Sequence, residues 1–272
     1  MTISIFLTLF LPIIILCTIL NLIANAQNRH LYYIGGWKGL LVTAWIGTPI
    51  HEFSHIIAAL LTGHKIVDFK LFEPDERTGT LGYVSHSYNP NNFYQSVVGN
   101  TIIPIAPFFG GALAIYFLTY FLLPGFSLYS ADVPRVHFIT SQNALVWQNY
   151  VMFGKSVLAF FQFLVFKIQQ AGLVTKWHFY VSLFMLFGIA NHLSPSGADF
   201  QNFWQPLLAI IIFTILLNLI ILPFTQGSMA IIEVASKYIM LATPILLLAL
   251  FISFIGFTLT YIIYLIVAIF KG

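Results

Sequence analysis

Two imidazoles stand four residues apart in His51-Glu52-Phe53-Ser54-His55, with a carboxylate between them. On a helix, side chains at i and i+4 share a face, so both histidines can reach one Zn2+ while Glu52 sits beside the water that such an ion activates. The chemistry this suits is metal-assisted hydrolysis, with Glu52 as general base. The motif lies inside the apolar run 39–62, where an ionisable side chain is costly unless it is paired, metallated or reached by water.

A catalytic zinc site needs a third protein ligand and an open position. His64 comes nine residues after His55, about 900° of helical rotation, which turns it to the opposite face, and Gly63 is placed to end the helix first. His86 falls in a polar connection, Glu233 in an amphipathic one, and His192 near a helix end; each reads as a surface or core residue. Asp199 is the better candidate. It closes the stretch Asn191-His192-Leu193-Ser194-Pro195-Ser196-Gly197-Ala198-Asp199, where Ser, Pro and Gly end an apolar helix and leave irregular backbone that is tolerable only around protein or water.

The elements that must position these residues are membrane helices. A hydrophobic fraction of 59% and a charged fraction of 7%, against about 25% charged in soluble domains, exclude a water-soluble globule. A net charge of +3, thinly spread, argues against a nucleic-acid partner, and the single cysteine, Cys17, excludes an internal disulfide. The expected fold is an all-α polytopic membrane protein with six transmembrane helices, at 3–24, 39–62, 97–123, 177–193, 204–223 and 240–270. The first run carries no charge and is longer than a signal-peptide core, so it reads as a retained span. Pro104, Pro107, Gly110 and Gly111 predict a kinked third helix. The last run is long for one crossing, so its start near Ile239–Pro244 is expected in the interface, or the helix tilted.

Between the second and third spans, alternation on both sides of a turn-rich centre predicts a small β-hairpin at 65–88. The connection 128–176 contains an apolar core, Ser156–Phe166, bounded by Lys155 and Lys167; eleven residues are too few to span, which predicts an interfacial or re-entrant helix. With that connection not crossing, the second and fourth helices run parallel, and Asp199 emerges on the same side as His51 and His55. Were Ser156–Phe166 a true span, Asp199 would exit on the far side and the site would fail.

These residues resemble the site-2 protease family of intramembrane zinc metallopeptidases. The resemblance rests on the His51 to His55 motif in a transmembrane helix and on a likeness to the family's Asn-x-x-Pro-x-Pro-x-Leu-Asp-Gly signature, in which Asn191 and Asp199 keep the eight-residue offset. Ser194, Ser196, Ala198 and Phe200 depart from that signature, and Pro195 stands one place late. The resemblance covers about 38–205: a core preceded by an N-terminal helix and connection at 1–37, followed by two helices at 206–272, without the family's PDZ insertion. It implies that His51, His55 and Asp199 bind Zn2+ and that Glu52 deprotonates the attacking water and later protonates the leaving amine. Asn191 would meet the substrate or the oxyanion, or else cap its helix. The implied partners are the lipid bilayer and a transmembrane protein or peptide, which must unwind locally because an intact helix hides its amides.

Counting Lys65, Lys70, Arg77 and Lys271 against Arg29, Lys38, Arg135, Lys155, Lys167, Lys176 and Lys237 favours a catalytic face outside the cytoplasm. The resemblance implies zinc nearer the cytosol, in a multi-pass protein of a bacterial plasma (inner) membrane, and that expectation is adopted because the count leans on one long connection. A zinc-dependent hydrolase of non-peptide substrates would share the same metal, base and water. A transporter or assembly factor with histidines along a polar path is the non-enzymatic alternative.

Overall fold

The structure, a computed structural model, describes residues 2–122, 147–193 and 225–271, together with 128, 133, 134, 199, 208, 212 and 216; within the helices, the side chains of 2–14, 17, 122, 149 and 225–242 are not described. Of the expected span at 204–223 only Leu208, Ile212 and Leu216 are described; the loop residues Ser194, Pro195, Ser196, Gly197, Ala198 and Phe200 lie outside the described residues, as does the side chain of Glu233. The described chain is mostly helical: α1 (Thr2–Leu61), α2 (Asn100–Leu122), α3 (Trp147–Gln170), α4 (Trp177–Asn191) and α5 (Thr225–Lys271), with a two-stranded antiparallel sheet of β1 (Lys65–Lys70) and β2 (Tyr83–Ser87) between α1 and α2.

α1 is a hairpin of two helical limbs. Gly36 breaks it with φ 59° and ψ −145°, a conformation that a side chain would make prohibitive. The side chains confirm the fold-back, because the Asn191 Nδ2 amide donates both to Asn28 Oδ1 at 2.8 Å and to Thr43 Oγ1 at 3.2 Å. In a straight helix those fifteen residues would be separated by about 22 Å. The second limb ends at Gly63, whose φ of 77° is left-handed; the Gly63 and His64 amides donate to the carbonyls of Leu60 and Ala59, capping the orphan acceptors.

Packing fixes the directions of the other helices. α2 runs antiparallel to the second limb, since His64 lies on Gly99, His55 on the carbonyl of Ile103, and Ser54 on Gly110. α4 runs parallel to it, with Gly188 against Thr43 and His192 against Gly47. Glycines set the closeness of this crossing: a Cβ on Gly47 would collide with the Gly188 carbonyl and the His192 ring. Close approach of small residues is how membrane helices gain packing contacts when burial from water offers little. The core between them joins Phe108, Ile115, Leu186, Ile189 and Leu193 with Leu20 and Leu247, so the first limb and α5 belong to the same bundle.

Among the described residues, three helical stretches are long and apolar enough to cross a membrane: Tyr94–Phe121, Tyr150–Gln170 and Thr243–Lys271. Two expectations are corrected here. Ser156–Phe166 is only the middle of α3, whose 24 residues run through both lysines taken as its limits. Long lysine stems lie along apolar surface while their heads reach water, and Lys167 Nζ sits 5.6 Å from the Phe163 ring centre, so a lysine need not end such a helix. The run 177–193, expected to span, forms a helix of 15 residues, about 22 Å long. It stops at Asn191 inside the bundle. Although α3 has the length to cross, α4 runs parallel to the second limb and so starts at the end of the bundle where α2 stops.

Candidate metal centre

His51 and His55 project from the second limb one turn apart, and both are buried, at 9% and 6% exposure. Each ring is held by a main-chain carbonyl. His51 Nδ1 donates to the carbonyl of His192 and His55 Nδ1 to that of Ile103, both at 2.8 Å. A carbonyl only accepts, so the proton of each neutral imidazole is on Nδ1, and each Nε2 presents a lone pair. The two Nε2 atoms lie 3.2 Å apart. Asp199 completes the cluster, with Oδ2 3.4 Å from His51 Nε2 and Oδ1 3.3 Å from His55 Nε2.

Four acceptor atoms therefore converge with no donor among them, an arrangement that is repulsive by itself and favourable around a cation. The spacings fit one: ligand atoms about 2.0–2.1 Å from a common centre at tetrahedral angles stand about 3.3 Å apart. Among the described residues, His51, His55 and Asp199 form the only group of three such side chains able to hold a metal ion. The tautomer-fixing carbonyls supply the outer support that metal-bound imidazoles require.

Glu52 lies beside this cluster and is 9% exposed. The hairpin covers it. A Cβ on Gly82 would stand 3.0 Å from the Glu52 Cγ, and 2.8 and 2.9 Å from the carbonyls of Lys70 and Leu71, so a bare glycine backbone rests on the carboxylate stem.

The other sequence candidates take different places. Asn191, expected at the substrate or as a helix cap, turns its amide away from the cluster to Asn28 and Thr43; Thr43 lies eight residues, about 12 Å of helix rise, before His51. It ties three helical segments together instead. His192 donates Nδ1 to the Gly188 carbonyl at 3.1 Å and serves the site through its main-chain oxygen. His64 is buried away from the cluster, bonded to the Gln95 carbonyl and His86. The carbonyls of His192 and Ile103 and the closeness of Gly82 escape sequence reasoning, since backbone atoms carry no sequence signal. Only the glycines Gly47, Gly82 and Gly188 hint at close approach.

Outside the helices, burial first, then the neighbouring His64 and His55 imidazoles, hold His86 below the ordinary imidazole range. The Tyr83 hydroxyl, donating to Asp68 Oδ2 at 2.5 Å, holds that carboxyl below the usual carboxylate range. Compared with family models, curated proteins and solved structures, the chain matches none of them.

Proposed function

We propose that this chain is an intramembrane zinc metalloprotease that hydrolyses peptide bonds in or near transmembrane segments. The observation that carries the reading is the convergence of two imidazole lone pairs and a carboxylate at tetrahedral ligand spacing, on a helix that also bears the buried Glu52. Zn2+ is the ion that suits two neutral imidazoles and one carboxylate with a position left open, and bound there it supplies Lewis acidity at neutral pH. His51, His55 and Asp199 hold it, and the carbonyls of His192 and Ile103 keep both rings in the ligating tautomer.

Glu52 takes the proton of the attacking water and passes it to the departing amide nitrogen, so one carboxylate serves as base and then as acid. Its position under Gly82 excludes bulk water from that exchange. The substrate reaches the cluster beneath the hairpin in extended form, because its amides are otherwise locked within its own helix. In this reading the chain is a multi-pass protein of a bacterial plasma membrane, with the cluster within the hydrocarbon thickness towards the cytosolic side.

The test uses full-length chain in detergent and a fluorogenic single-span peptide whose helix is loosened by Gly and Pro. About one zinc per chain, and cleavage lost in Glu52→Gln with zinc retained, is the expected result. Cleavage unaffected by Glu52→Gln, or protein without zinc, overturns the reading.

A further inference from the structure

His64 and His86 form a second imidazole pair outside the metal cluster, with Nδ1 atoms 2.9 Å apart. Its proton positions can be worked out. His64 Nε2 faces the Gln95 carbonyl at 3.0 Å and must donate to it, which leaves neutral His64 a lone pair on Nδ1. His86 then donates from its own Nδ1, and its remaining lone pair sits on Nε2, to which no other described residue is hydrogen-bonded. Gln95 anchors the relay, since its side chain also donates to the Gly63 carbonyl and accepts from the Asn89 amide, each at 2.8 Å. Tyr88 stacks on the His64 ring. A half-buried imidazole is thus held in one tautomer by a chain of partners, the logic by which a third group orients a functional histidine.

The sheet decides where that imidazole faces. His86 is the cross-strand partner of Ile66, and directly opposed residues share a face. Ile66 packs on Ala58, Ala59, Ile103 and Ala106, that is, on the helical turn following His55 and on the residue whose carbonyl holds His55. His86 is therefore on the inner face of the hairpin, over the same turn, while Gly82, just before β2, rests on Glu52. A polypeptide drawn beneath the hairpin brings unpaired backbone N–H groups into an apolar wall, where each needs an acceptor.

We propose that His86 is a substrate-binding residue whose Nε2 accepts a hydrogen bond from a backbone N–H of an extended polypeptide, admitted towards the His51, His55 and Asp199 cluster when the hairpin lifts from its contact with Glu52. This rests on the peptidase reading. The other role open to His86 is a clamp only, holding the root of the hairpin through His64. Amide isosteres separate the two: asparagine places its nitrogen where Nδ1 stands and has nothing at Nε2, whereas glutamine reaches the Nε2 position and abandons Nδ1.

The experiment measures kcat, KM and zinc content for wild type, Glu52→Gln, His86→Asn and His86→Gln, with the full chain and the same single-span peptide. His86→Asn is expected to raise KM about tenfold, the worth of one net hydrogen bond, with kcat within about twofold and zinc unchanged. His86→Gln is expected to keep KM within about threefold of wild type. Wild-type kinetics in His86→Asn, a loss confined to kcat, loss of zinc, or a larger defect in His86→Gln than in His86→Asn overturns the substrate contact and leaves the peptidase standing. Absence of cleavage by wild type, or cleavage by Glu52→Gln, overturns both.

Discussion

Replacing Asp199 by alanine isolates the ligand that comes from the far end of the sequence. Structural zinc sites with four ligands bind with about 10–16 kcal/mol, so one ligand accounts for about 2.5–4 kcal/mol, or about 60–700-fold in affinity. The geometry supports a full share for Asp199, because its two oxygens face the two imidazoles at 3.4 and 3.3 Å, and nothing else described in the cluster carries negative charge apart from Glu52. At free zinc about a thousandfold above the wild-type Kd, binding stabilises the fold by about 4.1 kcal/mol. In Asp199→Ala the same zinc concentration would give only about 0.5–1.7 kcal/mol. The assay is zinc competition with a chelating dye, paired with thermal unfolding at fixed free zinc. Asp199→Asn, which keeps the shape and removes the charge, guards against a local packing defect. Equal zinc affinity in wild type and both variants would refute the three-ligand centre.

Three further outcomes are expected. Gly47→Ala drives a methyl group into the Gly188 carbonyl and the His192 ring, costing about 1–3 kcal/mol in detergent unfolding and weakening zinc binding as the end of α4 shifts; a variant as stable and as zinc-loaded as wild type would contradict the crossing. Asn191→Leu removes one buried and one part-buried hydrogen bond and lowers stability by about 1–2 kcal/mol, with zinc content and kcat retained; a collapse of kcat at unchanged stability would return Asn191 to the site. Tyr83→Phe raises the Asp68 midpoint towards its ordinary value, read by carboxyl NMR; an unmoved midpoint rejects the assignment. Since the native Asp68 midpoint is depressed, the Tyr83 bond stabilises the fold above the unfolded carboxylate range, and that contribution fades as pH falls through the native value.

The histidine pair was legible because helix periodicity alone puts i and i+4 on one face. Asp199 was reachable by a longer route, in which apolar runs were counted and their directions compared. What that route lacked was the extent of the elements. Lys155 and Lys167 were taken as ends of an apolar segment, yet a lysine on a membrane helix can extend its amine to water, and α3 continues through both. Asn191 was drawn to the site by the signature it shares with Asp199, but the direction of its amide depends on the fold-back at Gly36, which brings Asn28 alongside Thr43. The runs 3–24 and 39–62 predict two helices, but not that both stay helical up to a break at Gly36, which is what sets Asn28 beside Thr43.

The distance in sequence between the ligands has a consequence for biogenesis. His55 precedes Asp199 by 144 residues, and α2, α3 and α4 are made in between. At about 5–20 residues per second, the histidine helix is made about 7–30 s before its carboxylate partner exists. The carbonyl that orients His51 belongs to the end of α4 and arrives equally late. Under the proposed function, metal capture would be a closing event of synthesis, because a nascent chain halted before α4 would hold an imidazole pair without the carbonyl that orients His51 or the carboxylate that completes the cluster.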